Sequence, residues 1–108
     1  MADGGAPTRI GPDRSGGVIA VQPGDLVEVA LPQNAGTGYR WQLDPLPPGL
    51  VLIADATEPP SEAAPGATGV RVFTLRADRS GSLVARLRRE WEPAGEAAGT
   101  FAVRVATS

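Results

Sequence analysis

Apolar side chains return at every second position through most of this chain, and that period restricts it to strands. In L-V-E-V-A-L, Val27, Val29 and Leu31 fall on one face. In S-L-V-A-R-L-R-R-E the same holds for Leu83, Ala85 and Leu87, with Arg86 and Arg88 turned the other way. Phe101, Val103 and Val105 repeat the pattern in T-F-A-V-R-V-A-T, and V-R-V-F-T-L-R-A alternates as well. A period of two gives a strand one dry face and one wet face, whereas a helix needs apolar residues three and four apart. No segment sustains the helical spacing; a short alanine-rich piece, Glu62 to Ala64, comes nearest.

The breaks between these runs are turn chemistry. Q-P-G-D follows the short apolar run Val18 to Val21, and D-P-L-P-P-G follows Y-R-W-Q-L, which puts Tyr39, Trp41 and Leu43 on a common face. D-R-S-G and E-P-A-G-E-A-A-G separate the last strands. Pro presets the first turn angle and Gly accepts the angles other residues avoid. The longest loop-like region is Ala56 to Gly69, where three prolines and two acids argue against a helix. Residues Met1 to Gly17 carry Gly, Pro and charge without a period, which predicts a flexible or loosely docked arm over 1–17 and a folded domain over 18–108. About seven short strands in 108 residues predict an all-β fold, an immunoglobulin-like antiparallel β-sandwich. Antiparallel pairing is expected because no crossover helix is available.

What the chain lacks removes most chemistry. It has no Cys and no His, so a thiol nucleophile, a histidine base, a Ser-His-Asp triad and a conventional zinc site are all excluded. No catalytic residue, metal or cofactor is expected. The formal net charge is −2, which argues against a general nucleic-acid or anionic-membrane binder. The A-R-L-R-R-E cluster reads as a solvated strand face, and Asp44, Asp55, Glu58 and Glu62 read as scattered loop-edge acids. All basic residues are Arg, which with the Ala, Gly and Pro content reads as the codon bias of a GC-rich genome. No apolar run approaches the ~20 residues that span a bilayer. The first residues have no apolar leader core, so the expectation is a cytoplasmic protein or one whose export leader has been removed. A monomer is expected.

Three stretches between strands are left to carry function. The first is N-A-G-T-G-Y-R-W, with Asn34, Ala35, Gly36, Thr37, Gly38, Tyr39 and Trp41. The second is P-G-A-T-G, with Gly66, Ala67, Thr68 and Gly69, directly before a strand that contains Phe73. The third is R-E-W-E-P, with Arg89, Glu90 and Trp91 at a strand end. Singly, each reads as a turn or a strand exit. In this order and spacing they resemble the chagasin-type inhibitors of papain-like cysteine peptidases, over about Val18 to Val105. That family's first loop reads N-P-T-T-G-Y followed by a residue and Trp. Asn34, Thr37, Gly38, Tyr39 and Trp41 match it, while Ala35 and Gly36 replace its Pro and first Thr. Its third loop carries R-P-W; Arg89 and Trp91 match, and Glu90 replaces the Pro. Its second loop is Gly-rich.

The resemblance implies an immunoglobulin-like sandwich whose three loops, gathered at one end, block a papain-like cysteine peptidase reversibly and without turnover. It places the second loop along one side of the cleft and Trp91 against apolar surface on the other. The residue types suit that task. A wedge for a cleft needs little volume and close backbone approach, which Gly36, Thr37 and Gly38 supply, and aromatic anchors behind it, which Tyr39 and Trp41 supply. The departures at Ala35, Gly36 and Glu90 leave both loops less preorganised, so a weaker or narrower inhibitor is expected. The rival reading is an immunoglobulin-like adhesion or scaffold module with no peptidase target. It differs in not requiring the three loops at one end.

Overall fold

The alternating segments become strands with the faces the sequence assigns them. The computed structural model describes residues 7–34, 38–59, 68–89 and 97–107. Its strands are β1 (Thr8–Ile10), β2 (Val18–Val21), β3 (Asp25–Gln33), β4 (Tyr39–Leu43), β5 (Leu50–Glu58), β6 (Gly69–Ala77), β7 (Gly81–Arg89) and β8 (Gly99–Thr107), with one 3-10 turn at Pro12–Arg14. They form two four-stranded sheets, ordered β1-β3-β6-β5 and β2-β8-β7-β4. The inner faces meet in one core of Val27, Val29 and Leu31 from β3, Phe73, Leu75 and Ala77 from β6, Leu83 and Ala85 from β7, and Phe101, Val103 and Val105 from β8. Leu43 and Leu87 pack against it half-buried. At about 25 cal/mol per Å² of apolar surface removed from water, burial of these side chains is the main term holding the sheets together.

The Q-P-G-D turn behaves as its residues require. Gly24 takes a φ of 91°, and the Asp25 N–H donates to the Gln22 carbonyl at 3.0 Å. The Asp25 carboxylate accepts from the Gln22 N–H at 2.9 Å.

Three expectations need correction. The segment from Thr8 to Gly17, read as part of a loosely docked arm, belongs to the sandwich. Thr8–Ile10 pairs with Val27–Val29, and Ile10 is a core residue only 6% exposed. Further on, the Ser15 hydroxyl accepts from the Ala102 N–H at 3.1 Å, and the Gly17 carbonyl accepts from the Arg104 N–H at 3.0 Å. Three residues with one apolar side chain show no period; the open edge of β3 makes T-R-I a strand. Residues 1–6 lie outside the described residues.

The pairing is also not antiparallel throughout. β1 runs parallel to β3, and β2 runs parallel to β8. Parallel neighbours need a long crossover connection. Here β2, lying in the opposite sheet, is part of the crossover between β1 and β3.

Finally, Ala56–Glu58 and Gly69 are strand rather than loop. β5 is an edge strand with Leu50 buried and nearly everything after it exposed, and its register shifts between Leu52 and Ala54. Exposure on both faces and a bulge erase the alternation that marks the other strands.

Candidate functional site

The strand register brings the strand ends that flank the three interstrand stretches to one end of the sandwich. Gln33, which closes β3, lies opposite Gly69, which opens β6, and Glu58 at the end of β5 lies opposite Val70. In the other sheet Tyr39 opens β4 opposite Arg89, which closes β7, and Gly99 opens β8 opposite Leu87. The short connection 34–38 joins these two sheet ends, with Gly38 in the left-handed region at a φ of 79°. The stems of the connections 34–38, 59–68 and 90–98 are therefore neighbours.

Trp41 binds the sheets together at this end. It is 8% exposed. Its backbone N–H donates to Gln33 Oε1 at 2.9 Å and its indole Nε1–H to the Pro32 carbonyl at 2.8 Å. Gln33 follows Val27, Val29 and Leu31 in phase on β3, so its side chain points inward, and it is 6% exposed. Arg71 is likewise in phase with Phe73, Leu75 and Ala77 on β6. Its Nη1 donates to Gln33 Oε1 and to the Trp41 carbonyl, each at 3.2 Å. Its Nε and Nη2 donate to the two Asp55 oxygens at 2.6 and 2.8 Å. Its guanidinium carbon stands 4.9 Å from the Phe73 ring centre. A forked Arg–carboxylate pair fixes a plane as well as a distance. The hydrogen bonds from Arg71 hold the Asp55 carboxyl below the usual aspartate value against the opposing effect of burial, and the same bonds raise Arg71.

The outer face of this sheet carries a second tie. Arg9 of β1 donates to Glu58 of β5 at 2.8 and 3.3 Å, and these bonds lower the Glu58 carboxyl. The two strands are opposite edges of the sheet, so the pair crosses the row Ala30, Val72 and Ala56, which lie in register. Val72, an outward residue in that row, is only 5% exposed.

The residues singled out from sequence are placed as follows. Tyr39 and Arg89 are cross-strand partners, and the Arg89 guanidinium carbon is 5.3 Å from the Tyr39 ring centre. Gly69 is buried beside Gln33, Asn34 and Gly38 are half-buried, and Thr68 and Arg89 are exposed. Ala35, Gly36, Thr37, Gly66, Ala67, Glu90 and Trp91 lie outside the described residues. The expected aromatic anchoring holds for Trp41, while Tyr39 is half-buried and carries Arg89. Asp55 and Glu58, read as loop-edge acids, are strand residues in ion pairs. Gln33 and Arg71 were missed, although a signal existed: each is a polar residue in phase with a buried apolar row, at the same end.

The profile described as "Chagasin family peptidase inhibitor I42" matches residues 20–105. The chain belongs to the chagasin family of peptidase inhibitors. No curated protein matches it by sequence. Among solved structures, this chagasin-family chain is similar to the cysteine protease inhibitor EhICP2 from Entamoeba histolytica, with 19% identity, a TM-score of 0.80, and 94% of this chain and 95% of that one covered. It is similar to amebosin in solution at 25% identity and a TM-score of 0.71, covering 96% of this chain and 100% of that one. It is also similar to PbICP-C, solved in complex with falcipain-2, at 15% identity and a TM-score of 0.60, covering 100% of this chain and 96% of that one. These likenesses bear out the immunoglobulin-like sandwich and, with the profile match, the family read from the three motifs.

Proposed function

We propose that this chagasin-family chain is a reversible, tight-binding inhibitor of papain-like cysteine peptidases, acting without turnover by inserting three loops into the active-site cleft. The observation that carries the reading is the convergence of the stems of 34–38, 59–68 and 90–98 at one end, in a chain whose family is defined by peptidase inhibition. A similar fold solved with a bound peptidase, PbICP-C with falcipain-2, supports the same kind of partner.

The mechanism is occlusion. Papain-like enzymes hold substrate as an extended strand in a cleft. A wedge of small residues, Gly36, Thr37 and Gly38, would fill the cleft over the catalytic thiol with little volume. Gly66, Ala67, Thr68 and Gly69 would offer backbone groups along one wall, and Arg89 and Trp91 would contact the other. Trp and Arg are the residues on which interface energy most often concentrates. Occlusion by non-covalent contacts needs no covalent step, and an inhibitor that is not cleaved would leave intact.

Titration against active-site-counted papain and one cathepsin-L-like enzyme tests the reading. One inhibitor per enzyme, competition with a peptide substrate, and full activity regained on dilution are the expected results. Unchanged substrate turnover by both enzymes at high micromolar inhibitor would defeat it.

A further inference from the structure

We propose that Arg71 is a positioning residue for peptidase binding: it locks the strands carrying the first loop to those carrying the second, so that the two loops act as one edge. The consequence for binding rests on the inhibitor reading above; the lock itself does not.

The case begins with β5. After Leu50 its side chains are half-buried or exposed, so little apolar packing holds its last residues, which launch the 59–68 connection. Its ladder with β6 fixes one edge. What fixes its faces is charge: Asp55 to Arg71 on the inner side and Glu58 to Arg9 on the outer side. Arg71 does more than Arg9, because the same guanidinium also reaches Gln33 Oε1 and the Trp41 carbonyl. Gln33 directly precedes Asn34, and Trp41 stands just past Gly38. One planar group thus touches both stems of the first connection through β3 and β4, and both stems of the second through β5 and its own strand. β7 and β8, which carry the third connection, are not among its hydrogen-bond partners in the described residues.

An apolar side chain in phase with Phe73 and Leu75 would pack here without the desolvation that Arg71 undergoes. Arg71 is half-buried and Asp55 exposed, so their pair adds little net stability, while the fork still fixes one arrangement of the strands it joins. A preorganised pair of loops loses less entropy on entering a cleft, and that gain appears mainly as slower dissociation.

The test compares the wild-type full chain with Arg71→Met and Arg71→Lys. Amide hydrogen exchange on the free chain reads the lock without any peptidase. In Arg71→Met, amides at 34, 38, 56–58 and 68–70 should exchange about tenfold faster, while 88–89 and 98–99 stay unchanged. Stopped-flow measurement with papain should show dissociation faster by about tenfold and association altered by less than about twofold. Arg71→Lys keeps the charge but loses the fork, and should fall between the two. Equal acceleration at 98–99 would make Arg71 a residue of general stability and overturn the lock. Loosened stems with unchanged dissociation would overturn the role in binding. A wild-type chain that leaves papain uninhibited would overturn the inhibitor reading for that enzyme and the proposed consequence with it, while the exchange comparison still decides the lock.

Discussion

Trp41 and Trp91 share a chemistry and are assigned opposite work. Trp41 is buried, and its indole N–H supplies the Pro32 carbonyl with its partner. Trp41→Phe keeps a ring but leaves that carbonyl unpaired and removes volume from a packed site, so unfolding in urea should show a loss of about 2–4 kcal/mol. Trp91 follows Arg89 at a strand end, and its work is assigned by family resemblance to the peptidase contact. Trp91→Ala should leave the urea midpoint close to wild type while weakening papain inhibition by about 2 kcal/mol or more. If the two variants lose stability alike and inhibition follows stability, Trp91 is a core residue. Arg71 and Gln33 show why single residues at this end escape a reading by residue class. Arg on a strand ordinarily marks the wet face, and only its phase with Phe73 and Leu75 reveals the inward position. Its partners Gln33, Trp41 and Asp55 come from three other strands, and no local spacing announces them.

At the scale of the element, β1 and β5 depend on their neighbours more than on their own sequence. β1 has one apolar residue, and Ile10 sits in the core. Ile10→Ala should destabilise the fold by about 2–4 kcal/mol, the usual cost of emptying a buried aliphatic site. A freely moving arm would lose nothing measurable, so a differential scanning melt separates the two. β5 depends on charge, and acid should find it first. Asp55 and Glu58 have folded-state pKa values below their unfolded ones because Arg71 and Arg9 bond their ionised forms. Such groups contribute stability that is present above the ordinary carboxylate range and lost as pH falls through it toward the depressed folded values. Amide exchange at 55–58 should therefore rise relative to β3 and β8 below about pH 4. Asp55→Asn should flatten that local acid dependence and start from a looser β5 at neutral pH. Equal acid sensitivity across all strands would show that the pairs do not hold the edge. The exposed Leu52 and Ile53 lie on this same strand, at the bulge. A bulge is one way natural sheets blunt an open edge against further pairing.

For the whole molecule, the absence of histidine has a direct consequence. No side chain of this chain has an unperturbed pKa in the neutral range, and the shifted carboxyls of the described residues move downward, away from it. Inhibition should be flat between about pH 5.5 and 7.5 once the enzyme's own dependence is divided out. A steep change over that window, against a peptidase shown to be pH-flat, would require a carboxyl raised strongly on binding. The sequence determined the fold class, the core faces and the family. Each rests on local pattern: a side-chain period of two, turn residues with fixed angles, and three motifs in order. Val27, Val29, Leu31, Leu83, Ala85, Phe101, Val103 and Val105 were all legible because a strand in the middle of a sheet reports its burial through its own alternation. Tertiary structure alone decided what happens at the edges and between the sheets. T-R-I became a strand because β3 offered an open edge. The parallel pairings arose because the chain crosses between sheets before returning. Arg71 met Gln33, Trp41 and Asp55 because β3, β4, β5 and β6 come together at this end, and Arg71 lies 16 to 38 residues from these partners. A hydrogen bond between distant segments leaves no period in either one, so its partners become visible only once the sheets have closed.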